Sequence, residues 1–86
     1  MRVAVPDVLT GYTGGAKHVD ADGTTITELL DDMDRRYAGV RFRIVNERGQ
    51  LRPHVRIFVN REMIDGLDQP VSANDEVVII QALSGG

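Results

Sequence analysis

The sequence predicts a two-layer α+β domain in which one main helix lies across one face of a mixed sheet. Three observations carry this. Only residues 26–37 space their apolar side chains at helical intervals. Short alternating segments rich in valine and isoleucine flank that stretch, two before it and three after. The 86 residues leave room for one domain. Its core must be economical, since a chain this short buries only about 60% of the surface its unfolded form exposes.

Arg2-Val3-Ala4-Val5 alternates as a half-buried strand does, and Pro6 ends it. Residues 7–15 read as a loop, with Gly11, Gly14 and Gly15 supplying positive φ for the reversal. Residues 16–21 alternate again, His18 and Asp20 on one side and Val19 and Ala21 on the other, before the turn Asp22-Gly23. The helix follows. Ile26, Leu29, Leu30, Met33 and Tyr37 form its stripe, and Thr25 and Glu28 fit a capping box at its start. Asp31, Asp32 and Asp34 fall off the stripe and read as a solvated face. Arg35 and Arg36 suit the negative end of the helix dipole, and Gly39 is placed to end the helix.

Phe42, Ile44 and Val45 are spaced for a short helical turn, and residues 46–50 read as an exposed loop. In the strand at residues 54–60, Val55, Ile57 and Val59 face one way while Arg56 and Phe58 face the other. Asn60-Arg61-Glu62 reverses the chain into a short strand around Met63-Ile64, and residues 65–71 connect onward with Leu67 tucked beneath the sheet. Asn74-Asp75 turns into a last strand over residues 76–80. Hairpins pair the first strand with the second and the third with the fourth. Setting the fifth beside the first closes the sheet under the helix. That is the β-grasp arrangement of ubiquitin, spanning residues 1–81, with residues 82–86 as a flexible tail.

The composition removes whole classes of function. Without cysteine there is no disulfide scaffold, thiolate metal site or cysteine nucleophile. The longest apolar run, Val77-Val78-Ile79-Ile80, is far short of a membrane span, and the opening residues lack a signal-peptide core, so the expected location is the cytoplasm with no membrane partner. A net charge of -3 argues against nucleic acid as a partner. The charge is uneven, however. Residues 35–61 hold eight arginines against the single acid Glu47, a basic band on an acidic body that suits an acidic partner.

Nothing in the interior assembles a catalyst. His18 and His54 alternate in strands with no carboxylate or second histidine at ligand spacing, so no metal site and no catalytic set is expected. Gly14-Gly15-Ala16-Lys17 lacks the rest of a phosphate loop. What remains is Ala82-Leu83-Ser84-Gly85-Gly86. This tail runs directly off a strand and ends without side chains, so the Gly86 carboxylate can enter a channel too narrow for a Cβ atom. Five extended residues reach about 17 Å. A second surface is expected on the outer face of the sheet, where Phe58, Val78 and Ile80 form an apolar patch flanked by Arg56, with the arginine band around its rim.

The chain resembles the ubiquitin-like sulfur-carrier family, which includes the small subunit of molybdopterin synthase, the thiazole-forming carrier of thiamine synthesis and the carrier serving cysteine biosynthesis. The likeness covers nearly the whole length. It rests on Thr13-Gly14-Gly15-Ala16-Lys17, Tyr37-Ala38-Gly39-Val40, Val55-Arg56-Ile57-Phe58-Val59-Asn60, Asn74-Asp75-Glu76-Val77 and the terminal Gly85-Gly86. It is nearest to the cysteine-biosynthesis carrier, with the molybdopterin type next. Gln81 departs from the pattern, because such tails often carry proline there.

The resemblance implies a carrier and not an enzyme, with no bound cofactor. An E1-like partner adenylates Gly86 with Mg-ATP, a sulfur donor converts it to a thiocarboxylate, and the sulfur passes to a biosynthetic enzyme, of the pyridoxal-phosphate cysteine-synthase type in the nearest case. Molybdopterin or natural-product delivery is the alternative. So is a ubiquitin-like modifier that joins Gly86 to lysines of other proteins, or a plain β-grasp binding module.

Overall fold

The single helical stripe becomes α1, Ile26–Arg36, which buries Ile26, Leu29, Leu30 and Met33 against a five-stranded sheet. The computed structural model describes residues 1–82 of the chain. The strands are β1 (Arg2–Ala4), β2 (His18–Asp20), β3 (Val55–Val59), β4 (Glu62–Met63) and β5 (Val77–Gln81). Their order across the sheet is β2-β1-β5-β3-β4. β1 runs parallel to β5 and every other neighbouring pair is antiparallel, the β-grasp topology. Val3, Val19, Ile57, Val59, Val77 and Ile79 point at the helix and are buried. A second helix, α2 (Val40–Ile44), realises the expected short turn and adds Val40 and Ile44 to the core. Gly39 sits between the helices at φ +95°, a conformation that a side chain disfavours. Among the described residues no helix is long and apolar enough to cross a membrane.

The helix start is tied down from two directions. Thr25 Oγ1 accepts the Glu28 amide at 3.2 Å. The Glu28 carboxylate, however, reaches one residue further back than a capping box requires, accepting from the amide and hydroxyl of Thr24 at 2.8 and 2.6 Å. The first-turn amides of Ile26 and Thr27, which have no partner within the helix, donate to Gln69 and Leu67 carbonyls in the long connection. Leu67 is half-buried against the core, as its position suggested. Gly23 lies so close to this turn that an added Cβ would stand 2.5 Å from the Leu29 amide nitrogen. Gly23→Ala should therefore lower stability by about 1–3 kcal/mol in denaturant unfolding, as overpacking does.

Three local readings need correction. Residues 7–15 are not an open loop, since Asp7–Tyr12 forms a 3-10 helix anchored by buried Leu9. Gly14 and Gly15 have positive φ, whereas Gly11 lies inside that helix without it. The last strand also starts and ends one residue later than expected, so Gln81 belongs to the sheet and pairs with Val55.

The helix aspartates are not a solvated face. Asp32 is buried and accepts from the Asp22 amide at 2.8 Å and from Arg35 and Arg36 at 2.9 Å each. Asp31 pairs with Arg41 at 2.8 Å, and Asp34 accepts the amides of Gly39 and Arg41, bracing the turn between the helices. The Asp22 amide bond, opposed by burial and aided by Arg35 and Arg36, holds the Asp32 carboxyl below the ordinary carboxylate range. A lowered folded-state value means the stabilisation is complete above the unfolded value and fades as pH falls through the folded one. Asp32→Asn should lower the thermal midpoint at pH 7, and its difference from the parent chain should shrink below about pH 4.

Candidate functional site: the outer sheet face and the root of the tail

β5 lies in the middle of the sheet, between β1 and β3, so whatever follows it leaves from a fixed base. Its far end is fastened by Asn60, which accepts the Glu76 amide and donates to Asp75 at 2.9 Å each. Asn60 and Arg61 make the β3–β4 turn at φ +50° and +74°, a geometry asparagine tolerates. Asp75 also accepts the Ser72 amide at 2.8 Å. That bond first, and the one from Asn60 second, hold its carboxyl low. At the near end the ladder continues past Gln81. The exposed Ala82 donates its amide to the His54 carbonyl at 2.8 Å, so this first residue of the predicted tail is fastened to the sheet. Leu83, Ser84, Gly85 and Gly86 lie outside the described residues.

The strand register assembles the outer face. Phe58 stands opposite Val78, and Arg56 opposite Ile80. All four project away from the helix layer: Phe58 and Val78 are half-buried, Arg56 is exposed and Ile80 is 45% exposed. The same register line continues through Met63 on one side of Phe58 and through Ala4 to His18 beyond Val78. Met63, 56% exposed, is a member of the patch that the sequence reading missed. The signal was available: it sits directly across the hairpin from Phe58.

The arginine band divides in space. Arg35, Arg36 and Arg41 are engaged by Asp22, Asp31 and Asp32 on the helix layer. They do not rim the patch. Arg56 does, and its Nη1 donates to the Pro53 and Val55 carbonyls at 2.8 and 3.0 Å, turning the guanidinium back toward the start of β3. Beside the tail root is an open cleft of about 420 Å³ lined by Phe42, Arg43, Arg52, His54 and Gln81 among others. Arg52 stacks over the Phe42 ring at 4.7 Å and donates Nε to the Phe42 carbonyl at 2.7 Å.

His18 and His54 are both exposed and lie at different strands: His18 is on β2 at one edge of the sheet, and His54 immediately precedes β3. Among the described residues no group of three or more His, Asp or Glu side chains is placed to hold a metal ion.

This geometry has a family. The model described as the ThiS family matches residues 3–86. The chain belongs to the ThiS family. Relatives share its full extent. The sulfur carrier protein CysO of Mycobacterium tuberculosis is 34% identical over 91 residues, covering 100% of this chain and 98% of that protein. A chain of the Amycolatopsis orientalis BexX/CysO complex superposes with a TM-score of 0.91 at 36% identity, covering 99% of this ThiS-family chain and 98% of that one. SAMP1 from Haloferax volcanii has a TM-score of 0.79 at 26% identity, covering 100% and 98%.

Proposed function

We propose that the chain is a sulfur carrier of the CysO type, with the Gly86 carboxylate as the group that is activated and loaded. The observation that carries this reading is the full-length ThiS-family match on a chain whose central strand is hydrogen-bonded through Ala82 and whose sequence then finishes in Gly85-Gly86.

A carboxylate is a poor electrophile, so the reaction begins with activation by an E1-like partner that binds Mg-ATP. A Gly86 carboxylate oxygen attacks the α-phosphorus, pyrophosphate leaves and an acyl-adenylate forms. Bisulfide then attacks the acyl carbon and AMP departs, leaving the thiocarboxylate. With a persulfide donor an acyl disulfide forms first, and a second thiol cleaves it. The thiocarboxylate is ionised at neutral pH and is a soft nucleophile, as thiolates are. It then attacks an electrophilic carbon on the receiving enzyme. The carrier supplies reach and docking while its partners supply catalysis. Phe58, Val78, Ile80 and Met63, with Arg56 beside them, form the docking face, and the absence of cysteine means no internal thiol competes for the activated end.

The CysO relatives, and the solution of one such protein together with BexX, favour delivery to a partner biosynthetic enzyme, cysteine synthesis first. Incubation with the adenylating enzyme of the source organism, Mg-ATP and sulfide, followed by intact-mass measurement, tests the reading. The expected product has one oxygen replaced by sulfur. Addition of a whole protein's mass through a lysine amide would instead favour the modifier reading.

A further inference from the structure

Resting on the carrier reading, we infer that the cleft at the tail root is an electrostatic collar that docks on an acidic rim around the mouth of the activating enzyme's tail channel. Arg43 and Arg52 both line it, beside Gln81 at the end of β5. Neither has an acidic partner among the described residues, whereas Arg35, Arg36 and Arg41 are all paired. No carboxylate among the described residues lines the cleft, although the chain as a whole has thirteen acids to ten bases.

The collar is also built to stay in place. The Arg52 amide donates to the Ile44 carbonyl at 3.0 Å, its Nε to Phe42, and its guanidinium lies on the Phe42 ring. Holding a cation on an aromatic face fixes its direction while leaving its outer N–H groups open to a carboxylate. Phe42 is 53% exposed, so the pair presents a ready-made stacked surface. Gln81, the last residue of β5, lines the same cleft, so a partner that engages the chain beyond β5 docks next to these charges. The acidic body elsewhere makes the wrong orientation repulsive, which orients encounter.

The test varies carrier concentration in pyrophosphate exchange catalysed by the E1-like enzyme of the source organism. Arg43→Glu with Arg52→Glu should raise KM for the carrier roughly tenfold at low salt with kcat nearly unchanged, and added salt should narrow the gap. Arg43→Glu alone leaves the Phe42 stack intact and should give part of the effect, so misfolding of the double variant cannot account for it. Arg61→Glu makes the same charge change as the single variant beyond the opposite end of β3, a strand roughly 17 Å long, and should leave KM as in the parent. Equal KM across all variants, with the parent active, overturns the collar while leaving the carrier reading intact. Equal KM together with salt-sensitive binding of a labelled single-stranded oligonucleotide by the parent overturns it in favour of nucleic acid. No exchange with the parent chain overturns the carrier reading and the collar with it.

Discussion

Extending the chain by a single residue beyond Gly86, or removing Gly85 and Gly86, should abolish thiocarboxylate formation entirely while leaving the unfolding midpoint unchanged. Both changes act on the carboxylate proposed to react or on its reach, and neither touches a residue of the buried core. Gly85→Val should give a graded version, because a β-branched side chain widens the segment that enters the partner's channel and restricts its backbone. Mass spectrometry after reaction with the activating enzyme reads all three. A tagged chain that still gains sulfur at its end would show that the terminal carboxylate is not the handle.

The second large effect lies on the sheet. Phe58→Asp and Ile80→Asp each place a carboxylate in the middle of the apolar patch, and each should lower kcat/KM for adenylation by roughly thirtyfold or more, the loss of one interface anchor worth about 2 kcal/mol. Arg56→Ala, at the rim, should cost far less. Ile80 is nearly half exposed in the free chain, so its substitution should shift stability by no more than about 0.5 kcal/mol. Parallel thermal melts separate lost docking from lost folding. Full activity in both aspartate variants would remove the outer face from the account.

Much of this was legible in the sequence because period carries burial. One stripe at helical spacing and five alternating segments are enough to set the helix layer, the hairpins and the inward sides of β3 and β5. The reading weakened where burial follows charge or local hydrogen bonding. Asp32 looks solvated on a helical wheel, yet the amide of Asp22 and two arginines within one turn let it be buried. The 3-10 helix at Asp7–Tyr12 buries one side chain, Leu9, and a single apolar anchor has no period to detect. The basic band was continuous in sequence and is divided in space, since proximity along the chain says nothing about which arginines meet the helix aspartates. The pairing of Phe42 with Arg52 joins residues on either side of an exposed loop, and no spacing rule predicts it. The terminal Gly85-Gly86 was read from the sequence beside the strand that precedes it, and it lies outside the described residues.

The most direct measurement is the intact mass of the protein isolated from sulfur-replete cells of its source, with peptide mapping of the C-terminal fragment. The account predicts a population in which one oxygen is replaced by sulfur, located at Gly86 and removed by alkaline hydrolysis. Sulfur-free mass in every fraction, under conditions where the activating enzyme is present and active, would contradict it.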